Sequence, residues 1–289
     1  MHTPNNIEHL KPFVKWVGGK STSLLRLLEY IPSNIENYVE PFLGSGALFF
    51  ALNFKKAIIN DSNEELILAY KVIKEQCPEL IMYLQSLIYD KELYEKIRAW
   101  DREPDFKQRS DLERAARLIY LIKTCYNGLY RVSKKNQFNT PFGNHKDPNI
   151  CDVRTLLACS EYLNKTQAVI MNKDYEALLD DIPEDAFVYL DPPYFPVSKT
   201  ANFTSYQSGK FNFSEQERLY NFCVKLHERG IRFMQSNSDT EDVRAIYKRF
   251  DIKVVEVSRR VNSNTQKRSA VNEVVITNYD PDTGIIKSL

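Results

Sequence analysis

Glycine is scarce in this chain, with nine among 289 residues, so each one marks a place where the backbone has a special task. No apolar run approaches the ~20 residues that span a bilayer. The segment from Met1 to Pro12 lacks a cationic stretch followed by an apolar one, so neither a membrane span nor a secretory leader is expected. The five cysteines are odd in number and show no close pair of metal-site spacing. Free thiols in a reducing cytoplasm are expected, with no structural metal. Charge of one sign is also missing: 39 basic against 38 acidic residues leave a net +1. That balance argues against capturing a polyanion through overall charge. Internal repeats and low-complexity tracts are absent as well.

What the chain does have is local bias. Between 123 and 154, six cations (Lys123, Arg131, Lys134, Lys135, Lys146, Arg154) face two anions, Asp147 and Asp152. Between 253 and 268, five cations (Lys253, Arg259, Arg260, Lys267, Arg268) face only Glu256. Two basic patches on a near-neutral protein suit the tracking of phosphates, although a solvated loop surface explains each patch equally well.

The apolar pattern divides the chain. From about 13 to 62 it reads as α/β. A helix carries Leu24, Leu25, Leu27 and Leu28 on one apolar face, a strand at Tyr38-Val39 leads through Gly44-Ser45-Gly46 into apolar Ala47 to Leu52, and a second strand ends at Asn60-Asp61. From about 63 to 160 the strand signal vanishes. Helices are expected over 64–76, 79–88, 91–100 and 112–124, the last with a capping box from Ser110 and Glu113. A basic loop follows from Tyr126 to Pro148. The α/β rhythm then returns, with strands at 168–171, 187–190 and 231–234. A helix capped by Ser214 and Glu217 runs to Arg229, another covers 242–250, and 253–257 pairs antiparallel with 273–277.

The apolar run Ala186 to Leu190 delivers Asp191-Pro192-Pro193-Tyr194 at the carboxyl end of a buried strand, where open α/β sheets bind ligands. One carboxylate, two rigid imino acids and an aromatic ring suit methylation of an exocyclic amino group on a nucleobase. Such a nitrogen is a poor nucleophile because its lone pair is delocalised. Acceptors on both of its hydrogens, Asp191 and the Pro192 carbonyl, favour a pyramidal and more nucleophilic geometry, and Tyr194 offers a stacking face. A strand ending in a Pro-Pro turn beside a buried tyrosine reads the same four residues without chemistry.

The turn at Gly44 and Gly46 fails the three-glycine dinucleotide fingerprint, because Phe49 stands where the third glycine belongs. A two-glycine turn followed by Asp61, 17 residues after Gly44, suits one nucleoside without a pyrophosphate. S-adenosylmethionine is such a ligand; an ordinary strand-to-helix turn is the alternative. Gly19-Lys20-Ser21 resembles the end of a phosphate-binding loop, yet Val14 occupies the position of its first glycine. Trp16, a ring to stack on, and Lys20, a cation for a carboxylate, fit the same cofactor better. In Tyr126 to Arg131, Arg131 can read a guanine edge and Asn127 an adenine edge, with Tyr126 or Leu129 wedging between bases. A glycine turn with exposed aromatics is the plainer account.

Taken in order, Lys15-Trp16-Val17-Gly18-Gly19-Lys20, Glu40 to Gly46, Tyr126 to Arg131, Asn139-Thr140-Pro141-Phe142-Gly143, Asp191 to Tyr194, Thr200 to Thr204 and the ending near Asn278-Tyr279 resemble the Dam-type DNA adenine methyltransferases, which methylate adenine N6 in GATC. The order resembles the α group of amino-methyltransferases, and the likeness spans about 11 to 279. It implies a Rossmann-like S-adenosylmethionine-dependent sheet with an inserted, mostly helical DNA-recognition domain. The implied division is 1–62 and 161–289 for the catalytic domain and 63–160 for target recognition. Implied cofactor positions are Trp16, Lys20, Glu40, Phe42, Gly44, Gly46, Asp61, Asp174 and Asp191. Asp191, Pro192 and Tyr194 form the implied target-base clamp. Implied DNA contacts are Lys15, Tyr126, Asn127, Leu129, Arg131, Pro141 and Lys146. Double-stranded DNA is the implied partner, with a restriction endonuclease as a possible genetic associate. One departure stands out: many members follow Pro-Phe-Gly with Arg-Tyr, whereas Asn144-His145 stand here, where contacts outside the central four bases are expected.

Overall fold

The computed structural model describes residues 10–20, 24–194, 211–257 and 271–288. Ser21 to Ser23, the segment Thr200 to Thr204, and Arg259, Arg260, Lys267 and Arg268 of the second basic patch lie outside the described residues. In chain order the strands are β1 (Asn37–Glu40), β2 (Lys56–Asn60), β3 (Val169–Met171), β4 (Phe187–Leu190), β5 (Arg232–Ser238), β6 (Asp251–Val257) and β7 (Val271–Thr277). The helices are α1 (Leu24–Leu27), α2 (Ala47–Ala51), α3 (Glu64–Glu75), α4 (Cys77–Ser86), α5 (Lys91–Ala99), α6 (Asp111–Thr124), α7 (Val153–Lys165), α8 (Phe213–Glu228) and α9 (Glu241–Ile246). Two compact units result: Met1–Gly19 with Leu43–Asn53 and Asn60–Asn172, and Lys20–Phe42 with Phe54–Ile59 and Lys173–Leu289.

The second unit is built on strands. β1 pairs in parallel with β2 on one side and β4 on the other, and β4 pairs in parallel with β5. β7 runs antiparallel to β5, and β6 antiparallel to β7. All four residues of β4 are buried, as a strand covered on both faces requires. Tyr38 stacks on Phe54 at 4.0 Å, and the buried Tyr279 hydroxyl donates to the Tyr30 carbonyl at 2.6 Å. Strand order reverses between β1 and β4, so Glu40, the last residue of β1, and Asp191, the first after β4, lie at a topological switch point. This is the Rossmann-like α/β architecture expected from the sequence.

Elements differ from expectation where a cap or a burial decides. α1 is a single turn, and Leu25 is 71% exposed, so the four leucines do not share a buried face. α8 begins at Phe213 because Asn212, not Ser214, accepts from the Glu215 N–H. It ends as expected at Gly230, whose φ of 70° permits the paired bonds Gly230 N–H to His227 and Ile231 N–H to Leu226. α9 stops at Ile246, before Phe250, and β5 runs on through Ser238 because β7 pairs with it that far.

The first unit is mostly helical. Asn63, Asp90 and Asp152 cap α3, α5 and α7, and the capping box of Ser110 and Glu113 opens α6 as expected. α7 had no counterpart in the expected helices; its Asp152 cap accepts from the Thr155 N–H. α6 is buried almost throughout, including two arginines. Arg114 meets Glu64 at 2.7 Å and Glu65 at 2.6 Å, while Arg117 meets Asp101 at 2.7 Å and the Ile97 carbonyl at 3.0 Å. Unpaired, such buried charges would be costly. Tyr94, Ile97, Trp100, Phe106, Tyr120 and Phe138 close a core beneath the basic loop. No helix among the described residues is long and apolar enough to cross a membrane.

Candidate active site

In the first unit the glycine turn is held by a carboxylate. Gly44 N–H donates to Asp61 Oδ2 and Asn63 N–H to Asp61 Oδ1, both at 2.9 Å. Burial raises the Asp61 pKa above the ordinary aspartate value, opposed by those two bonds. Gly44 and Gly46 have φ of 51° and 67°. A Cβ on Gly44 would come within 3.0 Å of Trp16 Cδ1, and one on Gly46 within 2.9 Å of the Tyr70 hydroxyl. The glycines are therefore required by the fold itself, whatever the turn binds. Trp16 stacks on Tyr130 with ring centres 4.7 Å apart and planes at 22°. A half-buried carboxylate beside a tight turn and an indole is a set suited to a nucleoside, with further acceptor lone pairs for a ribose diol.

The same unit carries the basic loop. Tyr126 is 55% exposed and Leu129 42% exposed; Lys15, Asn127, Arg131, Pro141 and Lys146 are exposed as well. Of the first basic patch, Arg131, Lys134, Lys135, Lys146 and Arg154 are exposed and Lys123 is not. The loop is pinned by its backbone: Tyr126 N–H to Pro141 at 2.9 Å, Gly143 N–H to Thr124 at 2.9 Å and Asn139 N–H to Arg131 at 2.9 Å. Arg131 Nε donates to Asn139 Oδ1 at 2.7 Å and Nη2 to the Asn139 carbonyl at 3.2 Å. The Nη1 edge of the guanidinium takes no part in either bond. Asn127 adopts a φ of 56°, within the left-handed region that asparagine tolerates. His145, at the departure from the family pattern, turns its ring to the Cys125 carbonyl at 2.9 Å, and its N–H donates to the Tyr89 hydroxyl at 2.8 Å.

In the second unit Asp191 and Tyr194 converge with two other residues. Lys20 Nζ lies 2.9 Å from Asp191 Oδ1 and 3.8 Å from Glu273 Oε2. It also lies 4.0 Å over the Tyr194 ring and donates to the Tyr194 hydroxyl. That hydroxyl donates to Glu273 Oε2 at 2.8 Å. Burial pushes Asp191 up to about 6, with Lys20 pulling it down and Glu273 pushing it further up. Burial likewise raises the Tyr194 phenol well above its usual value. Glu40 accepts from the Tyr38 hydroxyl at 2.7 Å, and Phe42 packs on Tyr175 and Phe211. Asp174 caps the turn at Tyr175 and pairs with Arg218.

Glu273 and Arg218 join these groups from outside every motif, Glu273 as a carboxylate at the head of the apolar run of the closing hairpin; Tyr130 and Asn139 lie inside motifs but carry no role from sequence. A family model described as D12 class N6 adenine-specific DNA methyltransferase matches residues 16–261. Over 273 residues the chain is 40% identical to the Type II methyltransferase M1.LlaDCHI of Lactococcus lactis subsp. cremoris, covering 94% of this chain and 96% of that one. It is 41% identical over 290 residues to the Type II methyltransferase M.MjaIII of Methanocaldococcus jannaschii, at 93% and 99% coverage. Against the DNA adenine methylase of Escherichia coli strain K12 it is 32% identical over 266 residues, at 92% and 94% coverage. The chain belongs to the D12 class N6 adenine-specific DNA methyltransferases.

Proposed function

We propose that this enzyme transfers a methyl group from S-adenosylmethionine to adenine N6 within GATC in double-stranded DNA, after rotating the adenine out of the duplex. The observation that carries the reading is the convergence of the Asp191 carboxylate and the Tyr194 ring at the end of β4. S-adenosylmethionine, when bound, supplies a methyl group on a positively charged sulfur and so needs no further activation. Trp16, Glu40, Phe42, Gly44, Gly46, Asp61 and Asp174 are the positions we assign to holding it, with Asp61 taking the ribose hydroxyls. Lys20, a donor to the cofactor carboxylate by resemblance, also keeps the charge of Asp191 balanced.

Asp191 and the Pro192 carbonyl accept from the amino group, so its lone pair is freed from the ring, and Asp191 takes up the proton lost after transfer. Unpairing and unstacking an adenine costs a few kcal/mol. Stacking on an aromatic returns ~1–3 kcal/mol, so Tyr194 offsets much of the cost and contacts to the distorted duplex supply the rest. Positioning of amine against methyl contributes much of the acceleration. Residues 63–160 serve as the target-recognition segment, with Arg131 reading a guanine and Lys15, Tyr126, Asn127, Leu129, Pro141 and Lys146 contacting DNA. The names of the two Type II relatives support pairing with a restriction endonuclease of the same specificity. Mapping methylated adenines in DNA treated with purified protein and cofactor tests all of this. Methylation confined to GATC is expected, and methylation elsewhere overturns the specificity.

A further inference from the structure

Glu273 has no role in the reading above, yet it joins the other members of the cluster. It sits in β7, in register with Ser238 of β5 and Val255 of β6, and is 6% exposed. Sheet pairing does not call for a carboxylate there, and the next three residues, Val274, Val275 and Ile276, are buried apolar ones. Desolvating an anion is expensive unless partners compensate it. Its partners include the Tyr194 hydroxyl at 2.8 Å and the Lys20 ammonium at 3.8 Å.

We propose that Glu273 is a positioning residue of the methyl-transfer reaction, acting through Tyr194 and Lys20. By accepting from the Tyr194 hydroxyl it sets the plane of the ring on which the target base stacks. By sharing the Lys20 charge it keeps that cation from holding Asp191 alone, so the Asp191 carboxylate stays available to the amine. This rests on the assignment of Asp191 and Tyr194 as the target-base clamp. The groups that bear on Asp191 are Lys20, Glu273, Tyr194 and Tyr189 of β4. Tyr189 is bonded to Ser236 at 2.8 Å and is itself influenced by Glu40. Lys20 favours the Asp191 anion and Glu273 disfavours it. Removing the Glu273 charge therefore moves the Asp191 pKa down.

The test is single-turnover methyl transfer by the full chain on a GATC duplex, across the acid and neutral range. The variants are Glu273→Gln, Tyr194→Phe, their combination, and Asp191→Ala. Glu273→Gln is expected to slow the transfer step about tenfold, the scale of one lost charge-assisted hydrogen bond, with cofactor KM unchanged and the acid limb moved to lower pH. The double variant is expected to be slower than Tyr194→Phe by less than the loss that Glu273→Gln causes alone, because the two changes share the Tyr194–Glu273 bond and only the Lys20 contact remains to be lost. Wild-type transfer in Glu273→Gln, an unmoved acid limb, or losses that multiply in the double variant each overturn the proposal. Should Glu273→Gln fail to fold, Tyr194→Phe breaks the same bond from the other side, and full activity there overturns it equally. Active Asp191→Ala would bring down the clamp itself. Inactive Asp191→Ala beside fully active Glu273→Gln would remove only the role of Glu273.

Discussion

In the second unit, Lys20, Asp191, Tyr194 and Glu273 are held by one another, with two carboxylates and one ammonium compensating where Lys20 and Glu273 are buried and Asp191 and Tyr194 half-buried. In the first, most of the basic loop's charged side chains are exposed, the loop is held largely through its backbone, and the Arg131–Asn139 pair and the His145 ring are side chains fixed at its surface. Removing one member of the buried set unbalances charge in a low dielectric, whereas removing one exposed side chain leaves its neighbours hydrated. On the proposed assignment, chemistry is placed where change is least tolerated, and reading of sequence where change costs the fold little.

The sharpest way to break this contrast is Asp191→Ala. Methyl transfer should fall by on the order of 10²–10³ or more, the scale of removing one preorganised polar group, with circular dichroism unchanged. Asp191→Asn keeps an acceptor and should retain a trace of activity. Near-normal turnover by the alanine variant, followed with labelled cofactor, would show the buried cluster to be structural. Tyr194→Ala should come next, impairing methylation more than DNA binding. A mispaired target adenine should partly rescue it, because mispairing lowers the cost of flipping. Absence of rescue would assign the ring to alignment in the transfer step instead of capture.

Asp61→Ala should weaken S-adenosylmethionine binding by ~1.5–3 kcal/mol, read by titration calorimetry on DNA-free protein. The thermal midpoint should drop as well, since Asp61 also carries the Gly44 and Asn63 N–H groups. Arg131→Ala should cost ~1–3 kcal/mol of discrimination at one guanine, while Lys146→Ala should weaken all duplexes alike. Competition between GATC and single-base variants at fixed salt separates the two, and an equal loss everywhere would make Arg131 a phosphate anchor. The smallest effect is that of pH. With Asp191 pushed up to about 6, the anion that accepts from the amine is present above that value and lost as pH falls through it. The transfer rate should therefore decline below about 6, and a flat profile down to the ordinary aspartate range would mean that Asp191 is not raised in the working enzyme or is not needed as the anion.

Much of this was legible in the residues. β1, β2, β4 and the closing pair β6 and β7 follow from short apolar runs, and α6 from its capping box, because both depend on neighbours within a few positions. Asp191-Pro192-Pro193-Tyr194 could be placed at a strand end for the same reason. α1 and α8 were misjudged where local signals competed: Ser214 is a good cap by type, but Asn212 reaches the free N–H groups first. The four leucines near α1 suggested a face that burial did not honour, leaving Leu25 in solvent.

What only the tertiary structure decided is the set of partners that lie far apart in sequence. Lys20 and Asp191 are 171 positions apart, and Tyr194 meets Glu273 across 79; a pattern with a period of two or of 3.6 residues holds no information about such pairs. The pairing of β4 with β5 and of β5 with β7 carries Glu273 toward the Asp191 end of the sheet. Spacing within the chain determined which residues could do chemistry; strand order determined which of them meet, because hydrogen-bonded neighbours in a sheet are chosen by packing and not by proximity in sequence.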